Sequence, residues 1–149
     1  MSRIPVMIID DEYTDRYLLK RILKKSSKVG EIFEAENGQE ALDFLTAYDD
    51  NLKKFPNEFP PLFIFLDINM HIMNGFEFLE QFAKLRNVED IYKICVFTMF
   101  TSSERLEDKE KADQYDFVKG FISKGTFSVA SLEKLINEHL SHISTKHKI

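Results

Sequence analysis

Residues 6–12 of the chain read VMIIDDE, a short apolar run that ends in three acidic residues. Residues 62–67 repeat this arrangement as LFIFLD. Apolar runs of this length, rich in Ile, Leu, Val and Phe, are typical of strands that are buried on both faces of a sheet. The sequence thus predicts two buried strands, each followed at once by an aspartate.

Three more apolar runs extend the pattern, and segments with helical spacing separate all five. The predicted strands are Val6–Ile9, Glu31–Ala35, Leu62–Leu66, Ile94–Phe100 and Phe117–Ile122. The predicted helices are Thr14–Ser27, a second after Asn37-Gly38, a third after Asn74-Gly75, a fourth at Glu104–Tyr115 and a fifth at Ser128–Ile143. This alternation favours right-handed βαβ crossovers, and so an α/β fold with a parallel sheet covered by helices on both faces.

Length and composition fit one intracellular domain. With 149 residues, of which 44% are hydrophobic, we expect a single domain over residues 1–149 with its core from about residue 5 to residue 143. A net charge of −5 argues against nucleic-acid binding. No signal peptide or membrane span is evident, and a single cysteine, Cys95, fits a cytoplasmic protein without a membrane partner.

One segment, residues 48–61, does not fit the alternation. It is long for a loop inside a compact domain, and three of the chain's four prolines lie near its end. We predict a surface insertion between the second helix and the third strand, formed as an extension of the second helix that stops at Pro56.

The polar residues of interest directly follow the predicted strands, where open parallel sheets bind their ligands. They are Asp10, Asp11 and Glu12 after the first strand, Asp67 and Asn69 after the third, Thr101 and Ser102 after the fourth, and Lys124 after the fifth. These side chains suit phosphoryl chemistry on a carboxylate, because an aspartate can act as nucleophile while a hydroxyl and an ammonium bind the phosphoryl oxygens.

Three aspartates at one sheet edge would repel each other. Two carboxylates about 4 Å apart at an effective dielectric constant of about 20 cost on the order of 4 kcal/mol, so a bound cation or a proton is needed. Oxygen ligands suit Mg²⁺. The pattern therefore indicates a magnesium site on Asp10, Asp11 and Asp67.

In their order along the chain, these residues resemble the receiver domain of two-component response regulators, in particular single-domain chemotaxis receivers. The matching stretches are Ile8–Glu12, Ala35–Leu42, Phe65–Met70, Met73–Gly75, Thr101–Ser103 and Phe121–Lys124. The resemblance covers Pro5 to about Ile143. It implies a flavodoxin-like (βα)5 doubly wound fold, with a five-stranded parallel sheet in the order 2-1-3-4-5.

The resemblance also implies roles at the acidic cluster. Asp67 is the phosphoacceptor, and Asp11 ligates Mg²⁺ directly. Asp10 acts mainly through a metal-bound water, and Asn69 offers its backbone carbonyl to the metal.

Three further residues have implied roles in the response. Thr101 is the hydroxyl that moves toward the phosphoryl group, Lys124 pairs with that group, and Phe121 stands at the aromatic switch position. Such a phosphoprotein is a signalling domain rather than an enzyme. It receives its phosphoryl group from a sensor histidine kinase or a histidine phosphotransfer protein and signals to a downstream protein target. The face formed by the fourth helix, fifth strand and fifth helix carries the signal, and it is also a candidate dimer contact.

This chain departs from the family pattern in three places. His71 stands where Pro usually follows the Met of the acceptor loop, Gly125 replaces the usual Pro after Lys124, and residues 48–61 are added. The family's Lys–Pro bond is commonly cis, whereas a cis bond before any other residue costs about 2.5–4 kcal/mol. Gly125 thus allows a different aim of the Lys124 side chain.

Two functions of other classes fit parts of the pattern. A phosphatase with an aspartyl nucleophile, of the haloacid-dehalogenase type, carries a second Asp two residues after the nucleophile, where this chain has Asn69. A phosphorylation-independent scaffold with the receiver fold would lack an acid or the lysine, and this chain lacks neither.

Single residues also have simpler structural explanations. Acids 10–12 could cap the first helix, and Phe121 could be plain core. In the fourth strand, Thr98 and Thr101 point to opposite faces. We prefer Thr101 as the site hydroxyl and expect Thr98 to be a hydrogen-bonded strand residue. No metal is assigned to the histidines near the end of the chain, which are His139, His142 and His147.

Overall fold

The computed structural model describes the backbone of residues 3–147 and the side chains up to residue 138. Five parallel strands form one sheet in the order β2-β1-β3-β4-β5. They are β1 (Ile4–Ile9), β2 (Val29–Ala35), β3 (Phe63–Leu66), β4 (Val96–Thr101) and β5 (Val118–Ser123). The predicted fold class and strand order are confirmed.

Helices cover both faces of the sheet. On one face lie α1 (Tyr13–Lys24) and α6 (Val129–His147). On the other lie α2 (Gly38–Thr46), α4 (Gly75–Val88) and α5 (Leu106–Asp113). Two short helices complete the described chain, α3 (Tyr48–Lys54) after α2 and a 3₁₀ helix (Asp90–Ile94) after α4.

Alternate side chains of each strand pack into two separate hydrophobic cores, one on each face of the sheet. On β1, Met7 and Ile9 join the core beneath α2 and α4, whereas Val6 and Ile8 join the core beneath α1 and α6. Every residue of β1, β3 and β4 is buried, which is why these strands are largely apolar in sequence. The polar residues that follow them therefore stand at the edge of a well-packed platform.

Residues 48–61 differ from the predicted extension of the second helix. That helix ends at Thr46, and after Ala47 the separate helix α3 begins. The Phe55 ring lies 4.9 Å from the Phe33 ring, centroid to centroid, and Phe59 is buried. The predicted extension of the second helix is wrong. The aromatic side chains of this segment gain more free energy from burial in the core than they would gain on an exposed helix.

Two further points concern the histidines near the end of the chain and the possibility of a membrane-spanning helix. The side chains of His139, His142 and His147 lie outside the described residues. Within residues 3–147, none of the helices has the length and apolar character that crossing a membrane requires.

Strand β4 begins two residues later than predicted, because Ile94 closes the 3₁₀ helix.

Candidate functional site

The carboxyl ends of β1 and β3 bring two aspartates side by side. Ile9 pairs with Leu66 in the sheet, so Asp10 and Asp67 leave neighbouring strands at the same level. The Asp67 amide donates to the Ile9 carbonyl at 3.0 Å, which continues the ladder. One carboxylate oxygen from each of Asp10, Asp11 and Asp67 lies within 4.8 Å of the other two. The three acids therefore converge at one edge of the sheet.

Backbone amides orient the two buried carboxylates. Asp10 Oδ1 accepts a hydrogen bond from the Glu12 amide at 2.9 Å, and Asp67 Oδ1 accepts one from the Ile68 amide at 2.8 Å. Both aspartates are almost fully buried. The other oxygen of each carboxylate, Oδ2, lies against the Lys124 ammonium.

Lys124 fills the space between these acids. It lies in the turn after β5, where its amide donates to the Thr101 carbonyl at 2.8 Å. Its Nζ lies 2.6 Å from Asp10 Oδ2 and 3.0 Å from Asp67 Oδ2. A third carboxylate, that of Asp15, approaches Nζ at 2.8 Å through its Oδ2. With Gly125 after it, the Lys124 side chain still reaches Asp67.

Asp15 is a site residue that sequence reasoning missed. It lies in the first turn of α1, and its side chain is about one-third exposed. An acid in the first turn of a helix is already explained by the helix dipole, so its residue type gave no separate signal. The available clue was its position, in the helix that begins directly after Asp10 and Asp11.

Burial and charge set the protonation of the site. Burial raises the pKa of Asp10 to about 6 with help from the charge of Asp67, against the hydrogen bonds from Lys124 and the Glu12 amide. Burial lowers the pKa of Lys124, but hydrogen bonds to Asp10 and Asp15 and the charge of Asp67 outweigh it, and the pKa is raised above its ordinary value. Lys124 is therefore a permanent cation in the acidic cluster.

The other predicted site residues lie on β4, on β5 and in the loop after β3. Thr101 is the buried last residue of β4, and its Oγ1 accepts a hydrogen bond from the Ser103 amide at 3.2 Å. Phe121 on β5 is half-buried and packs against the core beneath α4. Asn69 is exposed on the loop after β3. Thr101 thus stands at the strand end beside the backbone of Lys124, whereas Phe121 is set back along β5.

Thr98 is not the hydrogen-bonded strand residue that we expected. It is fully buried on β4, and its Oγ1 has no hydrogen-bond partner within the described part of the chain. The residue opposite on β5 is Gly120, where even a Cβ would come within 3.0 Å of this hydroxyl. The expectation is wrong because the close neighbour is a glycine, which brings no side-chain acceptor.

The loop from β3 to α4 lies tightly against the site. A Cβ at position 75 would collide with the Asp67 carbonyl oxygen, so Gly75 is required there. Ile72 in the same loop has a positive φ of 69° and an exposed side chain. His71 is also exposed, and its Nε2 lies 3.7 Å from Asp11 Oδ2. The departure from the family's proline thus adds an imidazole at the mouth of the site.

The donor set fits a hard divalent cation. The carboxylates of Asp10, Asp15 and Asp67 contact the Lys124 ammonium, and Asp11 lies beside Asp10 and Asp67. These four carboxylates outnumber the ammonium groups that the described side chains bring to the cluster, so it carries excess negative charge. Carboxylate and carbonyl oxygens are the protein ligands that Mg²⁺ prefers. The spacing of the Asp10, Asp11 and Asp67 oxygens allows one ion to contact all three.

Known proteins share both the sequence pattern and the fold. Residues 6–137 match the response regulator receiver domain family. The chain is 30% identical over 147 residues to the sensory transduction protein LytT of Bacillus cereus. The matched region covers 98% of this chain and 52% of LytT. It is also 27% identical over 122 residues to sporulation initiation phosphotransferase F of Bacillus subtilis, and that match covers 81% of this chain and 86% of that protein.

A solved structure extends the likeness to the backbone. The two-component response regulator of Cytophaga hutchinsonii matches with a TM-score of 0.75 and 26% identity, over 94% of this chain and 99% of that one. Some curated relatives are much longer than this chain, which spans 12% of one and 19% of another. The likeness therefore concerns a receiver domain and not the activities of those whole proteins.

Proposed function

Because the chain belongs to the response regulator receiver domain family, we propose that it accepts a phosphoryl group on Asp67 in a two-component phosphorelay. The donor is a sensor histidine kinase or a histidine phosphotransfer protein. The observation that carries this proposal is the setting of Asp67, a buried carboxylate between Asp10, Asp11 and Lys124 at the carboxyl edge of the sheet. Residues 5–143 form the proposed receiver unit.

In the proposed transfer, a carboxylate oxygen of Asp67 attacks the phosphorus of phosphohistidine in line with the departing imidazole nitrogen. A P–O bond forms as the P–N bond breaks, and the imidazole keeps that electron pair and takes up a proton. Lys124, already 3.0 Å from Asp67, pairs with the phosphoryl oxygens. Thr101, at the neighbouring strand end, offers its hydroxyl to the same group.

The acids of the cluster would hold the metal ion that such a transfer uses. Asp10, Asp11 and Asp67 offer carboxylate oxygens, and by the family pattern Asn69 would offer its backbone carbonyl. When bound there, Mg²⁺ supplies positive charge that neutralises the phosphoryl oxygens as charge develops. The excess of carboxylates over ammonium groups in the cluster supports this need for a cation.

The proposed output is a change in protein contacts. Phosphorylation of Asp67 biases a pre-existing equilibrium in which Thr101 and Phe121 shift. The face formed by α5, β5 and α6 then changes its affinity for a downstream protein, or for a second copy of the chain.

In the proposed role, the chain is a cytoplasmic signalling domain rather than an enzyme. Asn69 stands two residues after Asp67 and lacks the carboxyl group of a general acid, which disfavours turnover of an external phosphate ester. A net charge of −5 disfavours a nucleic-acid partner, and the free thiol of Cys95 is in keeping with a reducing compartment.

Incubation with acetyl phosphate and Mg²⁺, read by intact-mass spectrometry, tests the proposal. We expect the mass to rise by one phosphoryl group, and Asp67→Asn, which removes the nucleophile at constant size, to abolish the gain. Asp49→Asn makes the same exchange at an exposed position in α3 and should react like the unmodified protein. An unchanged mass of the unmodified protein contradicts the proposal and favours a phosphorylation-independent scaffold. Sustained hydrolysis of phosphate esters would instead indicate a phosphatase.

A further inference from the structure

Lys124 contacts three carboxylates, and one of them, that of Asp15, is not part of the three-acid cluster. Two of its carboxylate contacts, Asp10 and Asp67, are members of the three-acid cluster that fits a cation. The third, Asp15, stands outside that cluster and still approaches Nζ to 2.8 Å. Among the hydrogen bonds and ion pairs of the described residues, Asp15 therefore joins the site through the ammonium group.

A divalent cation and the Lys124 ammonium would share the carboxylates of Asp10 and Asp67. The ammonium contacts Oδ2 of Asp10 and Oδ2 of Asp67, while the Oδ1 atoms accept hydrogen bonds from backbone amides. Cation binding to these carboxylates offsets their negative charge and places a second positive charge near Lys124, which weakens the two contacts. Only 11% of the Lys124 side chain is exposed, so water replaces the lost contacts poorly. An ammonium left without partners in such a place is costly.

We propose that Asp15 is a positioning residue that keeps Lys124 partnered while Asp10 and Asp67 turn to a cation or a phosphoryl group. The inference rests on the proposed function. Asp15 suits this task because it lies in the first turn of α1, where the helix dipole favours its charge. Its side chain is partly exposed, so the carboxylate can follow small movements of the ammonium. Lys124 thus stays within reach of Asp67 without blocking it.

Magnesium binding to the unphosphorylated protein tests this role directly. We expect Asp15→Asn, which keeps the shape and removes the charge, to raise the Mg²⁺ dissociation constant about three- to fivefold, the size of a partly exposed ion pair. Asp15→Glu, which retains a carboxylate, should restore most of the affinity. Asp49→Asn is the matched control in the first turn of α3 and should have little effect. Isothermal titration calorimetry at about 0.15 M ionic strength measures all four proteins.

A double-mutant cycle with Lys124→Met separates positioning from simple loss of charge. In the Lys124→Met background the ammonium is gone, so Asp15→Asn should change the dissociation constant no more than the Asp49→Asn control does. An equal loss of affinity in both backgrounds would mean that Asp15 acts as a general surface charge, and it would overturn the proposal. No loss in either background would overturn it as well.

Phosphorylation rates give a second readout. Asp15→Asn should react more slowly with acetyl phosphate at low Mg²⁺ and regain the unmodified rate at saturating Mg²⁺. A deficit that persists at saturation, or equal rates at every Mg²⁺ concentration, contradicts the role of Asp15 while the unmodified protein still gains its phosphoryl group. An unmodified protein that neither binds Mg²⁺ nor gains a phosphoryl group overturns the proposed function and this inference together.

Discussion

Helices α4 and α5 cover the same face of the sheet but are anchored differently. α4 has 14 residues, begins with a capping box between Asn74 and Glu77, and buries five of its residues. α5 has 8 residues, has no side-chain hydrogen bond from its N-cap residue Arg105, and buries only Ala112. Because α5 consists largely of good helix formers, helix propensity does not account for the contrast.

Aromatic packing makes the difference between the two helices. The Phe82 ring of α4 lies 4.8 Å from the Phe97 ring and 5.5 Å from the Phe117 ring, centroid to centroid. α5 instead places the Lys111 ammonium 4.5 Å from the centroid of the Phe76 ring. The helix that follows the Thr101 strand end is therefore the weakly held one, which is what the proposed shift on phosphorylation would require.

The sharpest test of this comparison deletes one apolar side chain from each helix. Phe82→Ala removes a fully buried ring from α4, and we expect the free energy of unfolding to fall by about 3–5 kcal/mol. Leu106→Ala trims a side chain of α5 that is 68% exposed and should cost less than about 0.5 kcal/mol. Urea unfolding followed by circular dichroism measures both. Losses of similar size would break the comparison.

Alkaline pH should weaken the region behind α4, where Cys95 is buried and donates to the Pro61 carbonyl at 3.1 Å. Burial raises the pKa of this thiol from 9.0 to about 12. The unfolded chain loses the proton first, so stability is complete below about pH 9 and falls as the pH rises toward 12. We expect a loss of about 2–3 kcal/mol at pH 11.

The matched variant for this pH effect is Cys95→Ala, which removes the titrating group. Its free energy of unfolding should decline less steeply between pH 8 and pH 11, with Tyr92 contributing part of what is left because burial raises its pKa to about 12. Urea unfolding at both pH values measures the two slopes. Parallel slopes would show that Cys95 does not link pH to stability.

The contrast between the helices also shows how far sequence reasoning extends. The Asn-Gly start of α4 and the helical spacing of Phe78, Leu79 and Phe82 predict both its beginning and its buried face. The meeting of Asp10 and Asp67 is predictable because carboxyl ends of adjacent parallel strands share one edge. These features follow from local periodicity and from the geometry of a parallel sheet.

Other features depend on contacts between distant segments and leave no local pattern. The break between α2 and α3 follows from the burial of Phe55 and Phe59 against other parts of the core. The pairing of Asp15 with Lys124 joins residues 109 positions apart. Among the described residues the Thr98 hydroxyl has no hydrogen-bond partner, and this depends on which residue of β5 lies opposite. Residue types alone could not have indicated any of these three features.

A smaller effect is expected from the caps of the two helices. Asn74→Ala removes the side chain that accepts from the Glu77 amide at 2.9 Å, and we expect it to cost about 1 kcal/mol of unfolding free energy. Arg105→Ala changes the N-cap residue of α5, whose side chain makes no capping bond, and should cost much less. Urea unfolding of the two variants checks this. Equal costs would mean that the capping box does not help to anchor α4.

The smallest expected effect is a gain, produced by giving α5 the cap that it lacks. Arg105 already has the extended backbone of an N-cap residue, with φ −73° and ψ 131°, so Arg105→Ser offers a hydroxyl to the first turn without moving the chain. The exchange also removes an exposed ion pair with Glu107, which is worth little. We expect a net local gain of about 0.5 kcal/mol, seen as roughly twofold slower hydrogen exchange of the α5 amides with no change in α4. Unchanged exchange would assign the weak hold on α5 to its thin buried face alone and not to its uncapped start.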